Sequence, residues 1–165
     1  MTKQENSDMN EIEYKLQVLK KVANELNNAN VLWAIGSSSL LYFKGVVDTF
    51  NDFDLFISVN DTEKAKECFN KLGVQQPLYY DAVNYGTKTF LEYIVDGVEF
   101  DFMADFSIIN EGKEYLYPVE DSIESYYDLE GVQIPCQSLK QWIECYRLMK
   151  REHKAVLIEN YIKES

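Results

Sequence analysis

A chain of 165 residues with 46% hydrophobic and 14% aromatic residues can bury a core without disulfide or metal staples. Its 16 basic and 28 acidic residues leave a formal charge of −12, and a field of that sign repels polyanions and argues against broad nucleic-acid binding. The opening run MTKQENSDMNEIEYK holds no apolar leader stretch, and nowhere do about 18 apolar residues run together. The expectation is one cytoplasmic domain without a membrane segment, its three cysteines (Cys68, Cys136, Cys145) being reduced core thiols.

Taken in chain order, Ile12, Leu16, Leu19, Ala23 and Leu26 recur at helical spacing, with Asp8 and Glu11 as a cap, predicting a helix over 8–27. An apolar strand follows over 31–35, then Gly36, three serines and a short helix that stops at Gly45. A second strand is expected over 53–59, and Asp61 is placed to cap a helix reaching Leu72. The segments TKTFLEYIV and VEFDFMADF flank Asp96-Gly97, a two-residue hairpin signal that fixes the register. Val95 then faces Val98, Tyr93 faces Phe100 and Leu91 faces Phe102 on an apolar side, while Ile94 faces Glu99, Glu92 faces Asp101 and Phe90 faces Met103 on the other. A loop is expected around 110–113, a weaker hairpin turns at Glu130-Gly131, and Ser138 with Gln141 forms a capping box for a helical segment over 138–163. The fold class is α+β, a small mixed sheet with helices around a core over about 31–106.

Asn51-Asp52-Phe53-Asp54-Leu55 sets two carboxylates two apart at a strand start, which sends both to one face. Such a pair repels unless a cation lies between, and hard divalent ions such as Mg²⁺ take oxygen ligands from carboxylates and substrate phosphates. Asp101 can supply a third carboxylate, and its place opposite Glu92 costs stability unless it is solvated, protonated or compensated by a cation. Upstream, Ile35-Gly36-Ser37 offers a close-approach glycine, free backbone N–H groups and a hydroxyl to a phosphate, although serines before a helix are more often plain caps.

In this order, Trp33-Ala34-Ile35-Gly36-Ser37, then Asn51-Asp52-Phe53-Asp54-Leu55, then Glu99-Phe100-Asp101-Phe102, the sequence resembles the nucleotidyltransferase superfamily. That family includes the palm of DNA polymerase beta and the aminoglycoside and lincosamide nucleotidyltransferases. The resemblance implies a palm-type domain in which Gly36 and Ser37 hold nucleotide phosphates, Asp52 and Asp54 bind metal, and Asp101 completes the site and helps activate the attacking hydroxyl. It also implies one or two Mg²⁺ ions, an NTP donor such as ATP, and a small-molecule or protein acceptor. Whether Asp101 acts alone as base or with Glu92 stays open. Small size leaves a second reading, a catalytically weak module of this type serving as partner or antitoxin of another protein.

Arg147, Lys150, Arg151 and Lys154 fall at i, i+3, i+4 and i+7 and would share one face of a helix unbroken at Arg151, from which Lys150 and Lys154 could reach a triphosphate. His153 is the only histidine, which rules out a histidine-rich metal site. Tyr79, Tyr80, Tyr85, Tyr126 and Tyr127 are numerous enough to line an acceptor or base pocket, though core or rim positions are their commoner fate.

Overall fold

The Asp96-Gly97 hairpin pairs as its side-chain alternation requires, Val95 with Val98, Tyr93 with Phe100 and Glu92 with Asp101, so the polar and apolar faces of the sheet are set locally. A computed structural model describes the backbone of residues 3–78 and 81–165 and the side chains from residue 10 onward, apart from 79 and 80. Its elements are α1 (Lys3–Asn28), β1 (Trp33–Gly36), α2 (Ser37–Phe43), β2 (Phe53–Ile57), α3 (Thr62–Leu72), β3 (Val74–Gln76), β4 (Thr89–Val95) and β5 (Val98–Ala104). They continue as β6 (Ser107–Asn110), β7 (Lys113–Leu116), β8 (Ile123–Leu129), β9 (Val132–Gln137), α4 (Leu139–Leu148) and α5 (Glu152–Glu164).

Seven strands form one mixed sheet in the order β3-β4-β5-β2-β1-β9-β8, and β6 and β7 form a separate hairpin. Hairpins account for the antiparallel pairs β4–β5 and β8–β9, whereas β2 lies parallel to β5 and β1 parallel to β9. Those two parallel contacts place segments distant in sequence side by side.

Alternation then sorts the side chains. Phe53, Leu55, Phe100, Phe102 and Tyr93 are fully buried on one face. There Phe69 of α3 sets its ring centroid 5.0 Å from Tyr93, 5.6 Å from Phe102 and 5.8 Å from Phe100. Burying each such side chain stabilises the fold by roughly 1.5–3 kcal/mol. On the opposite face Phe56 meets Trp142 of α4 at 5.5 Å, and both rings line an open cleft. Across the sheet, α1 reaches both long hairpins, with Lys21 3.0 Å from Asp96 and Lys20 3.0 Å from Glu130.

Some local readings change. The first helix starts at Lys3, so Asp8 lies within it rather than capping it. Asp61 occupies the N-cap position of α3 without a side-chain cap bond, because its carboxylate accepts the Leu32 N–H at 2.8 Å and pairs with Lys64 at 3.3 Å. Half of the capping box forms: Ser138 Oγ accepts the Gln141 N–H at 3.3 Å, while Gln141 Nε2 is buried without a partner among the described residues. The segment around 110–113 is the turn of the β6–β7 hairpin.

Candidate active site

Strand register lines up one row of residues across five strands: Gly36 on β1, Asp54 on β2, Asp101 on β5, Glu92 on β4 and Gln76 on β3. Because β2 and β5 run parallel with Phe53 beside Phe100, the residues just before these two, Asp52 and Glu99, also come level. Asp52, Glu99 and Asp101 each bring a carboxylate oxygen within 4.8 Å of the other two. Asp54 hydrogen-bonds Ser37 and Asp101, and Glu99 hydrogen-bonds Asp52 and Glu92. Five carboxylates thus share one patch.

Crowding shows in their acidity. Burial, then the charges of Asp101 and Asp52, push Asp54 up to about 8. Burial, then Asp52 and Glu92, raise Asp101 to about 6, and the hydrogen bond to Asp52, with burial next, raises Glu99 to about 8. In each case the folded chain holds a proton that the unfolded chain releases at lower pH, so stability falls as pH rises from about 4 to about 8. Asp81, Glu130 and Glu159 are shifted the other way, and their contribution is lost only as pH falls through the acid range. In chelator the melting temperature should therefore drop between about pH 5 and pH 8, and millimolar Mg²⁺ should flatten that drop. A melting temperature independent of both pH and Mg²⁺ would contradict this account of the cluster.

Gly36 keeps ordinary extended backbone at φ −142, so its glycine has a packing cause. A Cβ there would lie 2.1 Å from Gln137 Oε1, 2.7 Å from Phe56 and 2.9 Å from Trp142. The next residue, Ser37, adopts φ +58, a conformation unusual outside glycine. Its Oγ lies 3.3 Å from the hydroxyl of the fully buried Tyr146, and neighbouring Ser38 Oγ accepts from Lys154 Nζ at 3.0 Å. Buried Ser39 fastens the turn, donating to the Gly36 carbonyl and accepting the Asp54 N–H.

A cleft of about 400 Å³ is lined by Ser37, Ser38, Asp52, Asp54, Asp101 and Arg151 among its polar residues and by Phe56, Phe106, Tyr85, Trp142 and Met149 among its aromatic and apolar ones. Gly36, Ser37, Asp52, Asp54 and Asp101 are thus brought together, and Lys154 joins them through Ser38, its ammonium 5.3 Å over the Tyr146 ring. The basic face divides instead. The chain breaks between α4 and α5, Arg147 is held by Glu152 and Glu159, and Lys150 lines a neighbouring cleft while Arg151 faces the carboxylates. Tyr85 lines the site, Tyr126 and Tyr127 are exposed on β8, and Tyr79 and Tyr80 lie outside the described residues.

Glu99 is the site residue that sequence reasoning passed over. Its alternation with Asp101 was visible, yet only the parallel β2–β5 contact brings Asp52 level with it.

No family model matches the chain, and no curated protein matches it by sequence. Solved structures do. A Thermotoga maritima protein provisionally described as a nucleotidyltransferase superposes with a TM-score of 0.71 over 93% of this chain and 95% of that one, at 22% identity. The chain has the nucleotidyltransferase fold. Within that fold it is also similar to the lincomycin-bound lincosamide antibiotic adenylyltransferase LnuA, with a TM-score of 0.56 and 16% identity over 87% of this chain and 95% of that one. ANT(2'')-Ia in complex with adenylyl-2''-tobramycin gives 0.54 and 11% identity, covering 92% and 98%. Among the described residues, no helix of this nucleotidyltransferase fold is long and apolar enough to cross a membrane.

Proposed function

We propose that this chain is a Mg²⁺-dependent nucleotidyltransferase that moves a nucleoside monophosphate from an NTP, ATP in the first instance, to a hydroxyl of a small molecule. The observation that carries this reading is that Asp52, Asp54 and Asp101 line one cleft with the Ser37-Ser38 turn, with Glu99 grouped beside Asp52 and Asp101. The carboxylate set fits a hard divalent ion: it is all oxygen and crowded enough to hold extra protons, which a cation would replace. Asp52, Asp101 and Glu99 would be its ligands, with Asp54 beside them. Such an ion, when bound, stabilises the negative charge on the attacking and leaving oxygens of a phosphoryl transfer.

The chain's own groups divide the remaining work. Ser37 and Ser38 offer hydroxyls to the phosphates, and Lys154 and Arg151 supply the positive charge that the leaving pyrophosphate needs. Lys154 is suited to this, since burial and the nearby Arg151 lower its pKa and a phosphate would restore the favoured charged state. The acceptor oxygen bonds to the α-phosphorus as the bond to the pyrophosphate oxygen breaks, and the hydroxyl proton passes to the Asp101 carboxylate. The mutually packed rings of Phe56, Phe106 and Trp142 line the cleft and give an apolar surface against which a base or acceptor ring can pack. The adenylyl acceptors of the similar structures, lincosamide and tobramycin, make small hydroxylated molecules the class to try first.

Thermal unfolding with each of the four nucleoside triphosphates, with and without Mg²⁺, tests the reading. A nucleotide at 100 times its dissociation constant adds about 2.7 kcal/mol, or roughly 5–10 °C for a chain of this size. A Mg²⁺-dependent rise with one nucleotide identifies the donor. No rise with any of them sinks the enzyme reading and favours a silent module acting through a protein partner.

A further inference from the structure

A second cleft, of about 550 Å³, adjoins the first and shares Asp81, Tyr85, Met149 and Arg151 with it. The Tyr85 hydroxyl donates to Met149 Sδ at 3.2 Å, so this pair forms the partition between the two spaces. Ile108 and Ile109 of β6 give the second cleft an apolar wall, and Lys150 stands on its rim. The space beside the carboxylates and this second space thus border each other at Tyr85 and Met149, and a molecule reaching from one to the other would displace this pair.

Two features of Lys150 bear on this cleft. Helix α4 closes with Lys150 N–H bonded to the Arg147 carbonyl at 3.0 Å and Arg151 N–H to the Tyr146 carbonyl at 2.7 Å, with Lys150 at φ +62. This is the paired-bond helix ending that favours glycine at its left-handed position, because a Cβ there crowds the backbone. Asn30, Ser37, Asp96 and Asp105 share the conformation with short polar side chains, and the longer Glu111 and Glu130 adopt it in two-residue hairpin turns, whereas Lys150 adopts it at a helix end. Secondly, in a chain of net charge −12, neither Lys150 nor Arg151 forms an ion pair among the described residues. Of the carboxylates on the same cleft, Asp81 is engaged by the N–H groups of Val83 and Asn84 and by Asn84 Nδ2. Glu111 sits exposed at the tip of the β6–β7 turn.

We infer that the second cleft is a subsite for an oxyanion, carboxylate or phosphate, carried on the far end of the acceptor and held by Lys150. The inference rests on the nucleotidyltransferase reading for the hydroxyl end and on Lys150 for the anionic end. A lysine at a left-handed helix end, with no carboxylate partner among the described residues, is then kept for its side chain, as strained residues at binding sites commonly are. It narrows the acceptor from any small hydroxylated molecule to one that is also an anion.

The glycine preference supplies a clean variant, since Lys150→Gly removes the side chain and relieves the backbone at once. Inorganic phosphate and acetate are titrated by calorimetry into wild type, Lys150→Gly and Lys150→Arg, each free and saturated with Mg²⁺ and a non-hydrolysable nucleotide. The expected result is that one anion binds alongside the nucleotide, at least tenfold more weakly in Lys150→Gly and near wild-type strength in Lys150→Arg; the tighter of the two names the group. Equal affinity in Lys150→Gly, displacement of the anion by nucleotide, or binding of neither anion overturns the subsite. Failure of wild type to bind nucleotide instead strikes the nucleotidyltransferase reading, and the nucleotide-free titration still decides the role of Lys150.

Discussion

Asp54→Asn and Asp52→Asn should each lower nucleotidyl transfer by at least about a hundred- to thousandfold, the scale on which single preorganised electrostatic groups act, and abolish Mg²⁺-dependent nucleotide binding. The fold should survive, with a melting temperature unchanged or a few degrees higher in chelator. Asp54 stands in the middle of the row, bonded to Ser37 on one side and Asp101 on the other. Its carboxylate is held protonated up to about 8 when no cation is present, so the neutral amide costs little that the folded chain had gained and removes one source of repulsion. Circular dichroism, melting curves and a pyrophosphate-release assay on the same preparations separate the two effects. An unfolded variant would make these aspartates structural, and a fully active one would remove them from the site.

Gly36→Ala should be strongly damaging through a different route. A methyl group at this position would lie 2.1 Å from Gln137 Oε1, which is not a free surface atom. That oxygen accepts the Trp142 indole N–H at 2.9 Å, and Gln137 Nε2 donates to Ser122 Oγ at 2.9 Å, all within the buried interior. Relieving the clash means displacing Gln137 and orphaning the Trp142 donor, so overpacking of about 1–3 kcal/mol combines with an unsatisfied buried group of similar cost. The melting temperature should fall by roughly 5–15 °C, and transfer activity with it, since Trp142 walls the cleft. A loss of less than a degree would show that the Gln137–Trp142 network yields more easily than its burial implies.

The local parts of this architecture were legible because local chemistry dictates them. The Asp96-Gly97 turn fixes seven cross-strand pairs without help from the rest of the chain, and Glu92 facing Asp101 followed directly. The parallel contact of β2 with β5 had no such signal, since it joins segments separated by α3 and two strands, and with it went the place of Glu99. Spacing also misled at the basic segment. The i, i+3, i+4, i+7 pattern presupposes an unbroken helix, but the left-handed turn at Lys150 rotates α5 away, so Arg151 and Lys154 approach the carboxylates while Lys150 does not. The two strands of the β6–β7 hairpin were missed because each is only four residues long, SIIN and KEYL, too short for a two-residue alternation to show. Gly36 was expected to make room for a ligand, whereas the room it leaves is taken by Gln137 and Trp142.

The crowding of Asp52, Asp54, Glu92, Glu99 and Asp101 has an evolutionary corollary. A laboratory population of this protein selected for heat resistance alone, with no demand on transfer, should lose these acids early, because amides or apolar residues on that sheet face are easier to fold around. Retention of the cluster under such selection would mean that it supports the fold in a way that repulsion between its members conceals.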